Sequence, residues 1–284
     1  MTTDLLLLMF LKAQAAASGA ILLVLALRLP ARRLIGAELA YRLWILAPAA
    51  ALVSLFPTLP QFLEDVNRMR SGVETAVFHL HAPPLHYGGA PILVIAWAVG
   101  FAAMVLGFAV IQSRFHRQAR AGVAGPAATG FWPRMVVPAD YADRFTPEER
   151  ALIRSHERQH MERRDPTTNL FIAFCQAVGW FNPLAHLAAS LARMDQELSI
   201  DAKVIAQHPK GRRQYAETLL KAQAHGLNSP LACALALGGK HPLEVRLAML
   251  GVRPISVRRD LLGVTGIGLI AFALAVALWT LAPI

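Results

Sequence analysis

The sequence holds two histidines four positions apart with a glutamate between them: His156-Glu157-Arg158-Gln159-His160, an H-E-x-x-H. On a helix, positions i and i+4 share one face with Cβ atoms about 5–6 Å apart, so both imidazoles can reach one metal ion. Glu157 is turned about 100° from His156, which sets its carboxylate beside the ion rather than on it. There it can take a proton from metal-activated water. The chemistry that suits this pattern is peptide-bond hydrolysis at zinc, which takes three protein ligands and leaves one position open. Random placement yields such a pattern about 0.01 times in a chain of this composition. The competing reading is a chance match on a charged helix face.

A third ligand stands downstream in Glu197-Leu198-Ser199-Ile200-Asp201, an E-x-x-x-D with both acids on one helical face. Glu197 serves as the third ligand and Asp201 as the acceptor for a ligand histidine's ring N–H. The competing reading is two solvated acids near Arg193 and Lys203. Asp165, five positions after His160, caps the following helix and, with Asp201, is counted among the acids behind the ligands, where it also orients His160. One Zn2+ per chain is expected.

The helices that must carry these residues are marked by their first residues. Thr146-Pro147-Glu148-Glu149 joins an N-cap, a proline at the first helical position and a capping-box glutamate. Asp165-Pro166 and Asn182-Pro183 repeat the cap-then-proline pattern. The spacing predicts helices over 147–164, 166–179 and 183–207, with further helices over 212–225 and 242–250. Met135 to Val137, bounded by Pro133 and Pro138, reads as a short edge strand or half of a hairpin, and the Gly/Ala/Pro-rich 122–130 as a linker. Apolar 169–180 is too short to span a bilayer and reads as a core helix or one docked on the inner membrane surface.

The chain as a whole is unusually apolar: 55% hydrophobic and 16% charged, against about 25% charged in soluble domains. That excludes a disordered chain. Two cysteines, Cys175 and Cys233, exclude a disulfide framework. Stretches 5–27, 39–56, 91–111 and 261–282 approach or exceed the roughly 20 residues needed to cross a bilayer. Arg28, Arg32 and Arg33 lie between the first two, and 21 Lys+Arg against 12 Asp+Glu lie between Arg114 and Arg259. Basic loops stay cytoplasmic, so the N-terminus is outside and the polar segment inside. The net charge of +10 thus reports topology, and no direct nucleic-acid contact is expected. In the outer loop, 57–90, Leu59, Phe62, Leu63, Val66 and Met69 have helical spacing, and His79, His81 and His86 follow. These histidines suit a solvated loop better than a metal or pH sensor.

Residues 130–205 resemble the zinc domain of the BlaR/MecR-type membrane metallopeptidases, the antirepressor signal transducers. The matching pieces are Trp132-Pro133-Arg134-Met135-Val136-Val137-Pro138, the HERQHMERRD run from His156, Asn169-Leu170, Trp180-Phe181-Asn182-Pro183 and the Glu197 to Asp201 block. His241 to Leu250 is similar to that family's closing helix. The resemblance implies His156, His160 and Glu197 as zinc ligands, Glu157 as base and a gluzincin site facing the cytoplasm beside the spans. Relatives carry an extracellular sensor after the fourth span; this chain ends at Ile284, and a member without that sensor is expected. Ile200 stands where many relatives have cysteine, at a position that is not a ligand.

The fold expected is mainly α: a polytopic membrane protein with four transmembrane helices and a cytoplasmic gluzincin-like zinc metallopeptidase domain inserted between helices 3 and 4. Its parts are 1–111 with three spans, 112–260 as the zinc domain and 261–284 as the fourth span. The function expected is a zinc endopeptidase of the bacterial inner membrane, cutting a cytoplasmic or membrane-proximal protein whose chain pairs with the 135–137 strand. The resemblance adds a transcriptional repressor as substrate and self-cleavage of the inner domain. Partners are that substrate, the bilayer and either a second copy or a separate sensor subunit. The alternatives are a non-proteolytic transducer with a structural metal and a quality-control membrane peptidase with a different span arrangement.

Overall fold

The structure is a computed structural model that describes residues 3–56, 63–64, 66–67, 89–224, 242–251 and 257–280. The outer-loop positions Leu59, Phe62, Met69, His79, His81 and His86 lie outside the described residues, as do Cys233 and His241.

The described chain is helical apart from one hairpin. Helix α1 is Thr3–Leu34; α2 (Ala37–Arg42), a 3₁₀ turn (Leu43–Ile45) and α3 (Leu46–Val53) follow, then α4 (Ala90–Arg120). Strands β1 (Ala127–Thr129) and β2 (Arg134–Val136) pair antiparallel, with Ala128 opposite Met135. Next come α5 (Tyr141–Arg144), α6 (Pro147–Arg163), α7 (Asp165–Val178), α8 (Pro183–Gln207), α9 (Arg212–Ala224), α10 (Pro242–Leu250) and α11 (Val257–Thr280). Two helical stretches, Asp4–Leu34 and Ala90–Arg120, are long and apolar enough to cross a membrane. The second expected span is not one regular helix. Pro48 lacks an N–H and crowds the carbonyl four residues back, and the backbone tightens to 3₁₀ just ahead of it.

Helix α1, the 3₁₀ turn and α3 share one apolar cluster with α8 through Ile21, Val24, Leu43, Leu46, Ala188 and Ala192. Helices α7 and α8 form a hairpin whose tip, at Trp180 and Phe181, lies between α1 and α4. Phe181 meets Phe10, and Trp180 lies so close over Gly100 that a Cβ there would come 2.1 Å from its ring. A side chain at position 100 would push the hairpin away.

Two polar knots tie the membrane-proximal helices to α8. Asp195, fully buried, accepts from Arg28 Nε (3.0 Å) and Trp44 Nε1 (2.8 Å) and pairs with Arg32. Arg28 and Arg32 were expected as loop charges; α1 instead continues to Leu34 and buries both. The second knot is Glu38, which accepts from Ser199 Oγ, Arg163 Nη1 (3.0 Å) and Lys203 Nζ (3.2 Å). Burial works to raise the Glu38 carboxyl, but the Ser199 hydroxyl and the two cations outweigh it and hold it at about 2. A carboxyl depressed on folding adds stability that is complete above its ordinary value and is lost as the pH falls to the folded one. Glu38→Gln is therefore expected to flatten the melting temperature of the detergent-solubilised chain between about pH 5 and 2. Parallel curves for wild type and variant would count against the knot.

Candidate metal centre

Local chemistry sets α6 in place. Thr146 Oγ1 accepts from Glu149 N (3.3 Å) while Glu149 Oε2 accepts from Thr146 N (2.9 Å), the full capping box. His156, Glu157 and His160 are all buried on this helix, the two imidazoles facing Glu197 of α8. At its end Arg164 adopts the left-handed conformation, φ 58° and ψ 38°. That conformation disfavours a residue with a Cβ. Here it turns the chain sharply, so that Asp165 folds back on His160.

His156 Nε2 and His160 Nε2 lie 3.1 Å apart. Glu197 Oε2 lies 3.4 Å from the first and Oε1 3.4 Å from the second. Among the described residues these three form the group able to hold a metal ion, with donor atoms within 4.8 Å of one another. Glu197 keeps 34% of its side chain exposed, so the centre opens on that side. Both Nε2 atoms point inward because both Nδ1 atoms are engaged elsewhere. His156 Nδ1 lies 2.7 Å from the Tyr215 hydroxyl, which donates to Asp201 Oδ1 at 2.7 Å. His160 Nδ1 lies 2.6 Å from Asp165 Oδ2. An acceptor on Nδ1–H leaves the Nε2 lone pair free for a metal and raises its basicity.

Of the two roles expected of Asp165, the structure places it on His160 and not on the helix start. Its carboxylate makes no cap to α7; it serves His160 and is gripped by Arg163 through two bonds of 2.7 Å. Asp201 serves His156 as expected, but chiefly through Tyr215, its direct separation from Nδ1 being 3.4 Å. Asp165→Ala is expected to weaken zinc binding about 10–100-fold in a chelator competition, since outer-shell acceptors contribute that much. Unchanged affinity would show that His160 is oriented by something else.

Arg246 of α10 is a residue the sequence reading passed over. It forks onto Asp201 with two bonds of 2.8 Å and reaches Glu197 Oε2 at 3.2 Å. Burial would raise the Glu197 carboxyl, yet Arg246 and the two imidazoles hold it well below the usual range. Tyr215 was missed as well. A lone arginine and a lone tyrosine on helices carry no spacing signal; only their partners identify them. The carboxylates favour positive charge at this spot: burial alone pushes the His156 imidazole down, but Asp201 and Glu197 raise it to about 10. A divalent cation answers the same field and competes with that proton.

Glu157 Oε2 accepts from Ala128 N of the hairpin at 2.6 Å. Burial raises its carboxyl above the ordinary value, with His156 and His160 opposing. A raised carboxyl beside a metal centre suits a group that accepts and returns a proton. The strand whose backbone reaches this carboxylate is β1.

The family described as BlaR1 peptidase M56 matches residues 8–125 and 118–250. The regulatory protein BlaR1 of Bacillus licheniformis is 31% identical over 90 residues, which is 31% of this chain and 15% of that protein. The match thus covers a small part of the relative's length. No solved structure matches the chain.

Proposed function

This chain belongs to the BlaR1 peptidase M56 family, and from that premise we propose that it is an integral-membrane zinc endopeptidase of regulatory signalling. The reading rests above all on the convergence of His156, His160 and Glu197. Zinc bonds of about 2.0–2.1 Å in a tetrahedron set ligand atoms about 3.3 Å apart; here the two ring nitrogens stand 3.1 Å apart and each lies 3.4 Å from one of the two Glu197 oxygens, with one donor atom per residue all within 4.8 Å. Two imidazoles and a carboxylate are also the donor types zinc prefers. A structural site closes with four protein ligands, whereas three donors meet here among the described residues. That count favours hydrolysis over a purely structural metal.

Bound zinc supplies Lewis acidity, polarising a peptide carbonyl and acidifying water. The chain's own residues do the rest. Glu157 accepts the proton of the attacking water and delivers it to the departing amine, its carboxylate aimed by the Ala128 N–H. Tyr215, Asp201 and Asp165 keep both imidazoles in the ligand tautomer. The substrate backbone runs alongside β1, next to Glu157.

In this reading the chain crosses the bilayer four times, over 5–27, 39–56, 91–111 and 261–282. The N-terminus lies outside, and the zinc domain of 112–260 meets the cytoplasm. The substrate is a cytoplasmic or membrane-proximal protein, a transcriptional repressor by family resemblance, with self-cleavage as a second reaction. X-ray absorption on the purified full chain tests the centre: one zinc with two imidazoles, one carboxylate and one exchangeable oxygen is expected. A fourth protein ligand, or no zinc retained, would overturn the proposal.

A further inference from the structure

We propose that the α7–α8 hairpin is a re-entrant element of the membrane, with its outward face of Leu170, Phe171 and Phe174 covered by lipid acyl chains. The inference shares the membrane reading of α1 and α4 with the proposed function and is independent of hydrolysis.

Depth comes first. Helix α7 begins at Asp165, beside His160, and its 14 residues rise about 21 Å. Its far end meets Trp97 and Gly100 of α4. Both lie inside the uncharged stretch 91–111. On α1 the tip meets Phe10, Gln14 and Ser18. Ser18 lies ten positions outward of Arg28, or about 15 Å along the helix. If α1 and α4 cross a bilayer whose apolar core is about 30 Å thick, the hairpin tip stands well within that core.

The polar groups of the turn agree. Non-helical backbone survives at membrane depth only when its N–H and C=O groups are satisfied inside the protein. Here Trp97 Nε1–H donates to Val178 O at 2.9 Å, capping the end of α7. His186 Nε2 lies 2.8 Å from Trp180 O. Asn182 accepts from Leu184 N with Oδ1 (3.0 Å) and donates to Ser18 Oγ with Nδ2 (2.9 Å). Water would make such provisions unnecessary.

The side-chain distribution is inverted relative to a water-facing helix. Leu170, Phe171 and Phe174 are 56%, 49% and 54% exposed. Gln176 and Arg193 are turned inward and buried, Gln176 binding both Arg193 and His186. The exposed trio is continuous with the apolar flank of α4, which Phe174 touches through Phe101. One solvent suits an apolar outer face, a polar interior and two flanking spans, and that solvent is hydrocarbon.

The test uses the full chain in phosphatidylethanolamine–phosphatidylglycerol vesicles, with Cys175 and Cys233 first replaced by alanine. Nitroxide labels go on Phe174→Cys and, separately, Leu170→Cys, so that loss of one variant leaves the other. Leu106→Cys on α4 is the lipid reference and Leu220→Cys on α9 the aqueous one. The expected oxygen-to-nickel collision ratio at both hairpin sites is within about twofold of Leu106 and at least about tenfold above Leu220. A ratio like that of Leu220 would overturn the inference. So would low collision with both reagents, which would mean that protein covers the face. Lipid-like labels in a chain that cleaves nothing would sink the peptidase reading and leave the hairpin where it is.

Discussion

Glu157→Gln is expected to lower peptide-bond cleavage about 10²–10⁴-fold, the usual contribution of a positioned general base, while leaving zinc content at the wild-type level. The substitution keeps the shape of the side chain and an oxygen able to accept from Ala128 N. It removes the one lone pair that can carry a proton from water to the leaving amine. His156, His160 and Glu197 could hold a metal ion without it. The measurement pairs product appearance, by mass spectrometry of new protein termini, with elemental analysis of the same sample. Wild-type cleavage by the variant would sink the proposed chemistry. Loss of metal together with activity would instead make Glu157 a ligand.

The largest stability effect is expected at Asp195. Its carboxylate is the shared counter-charge of Arg28 and Arg32 and the acceptor for Trp44 Nε1, all in a buried layer. Asp195→Ala leaves two guanidinium groups buried without their partner, a loss of about 3–5 kcal/mol for a broken buried pair. The orphaned indole N–H adds about 1–3 kcal/mol. Thermal unfolding in detergent should record this as a large fall in midpoint. Replacing Arg28, Arg32 and Asp195 together with apolar residues should recover most of the loss, because a buried ion cluster is worth little more than good packing. A single variant as stable as wild type would show that the charges are solvated. Asp195 stands two residues before Glu197 on α8, so the variant also tests whether displacing that helix loosens the metal centre.

Much of the segment around the candidate metal centre was legible because its signals are local. The helix starts at Pro147 and Pro183 rest on caps within three residues of the first turn, and both caps are made. The shared face of His156 and His160 follows from helical period alone. At Asp165 the local cap-then-proline rule yields to a stronger tertiary demand: His160 and Arg163 claim both carboxylate oxygens. Arg28 and Arg32 were read as loop charges because positive-inside counting treats arginines as solvated flanks, and nothing near them in the chain announces Asp195, more than 160 positions away.

By itself the amino-acid order determined the apolar stretches, the helix boundaries of the zinc domain and the pair of imidazoles, since each depends on interactions reaching no further than four or five residues. Only the folded chain decided that Tyr215 stands between His156 and Asp201, that Arg246 holds Asp201 and Glu197, and that β1 meets Glu157. Those are contests among distant groups for a few buried polar partners. Their outcome depends on which groups the packed helices bring within about 3 Å of each other.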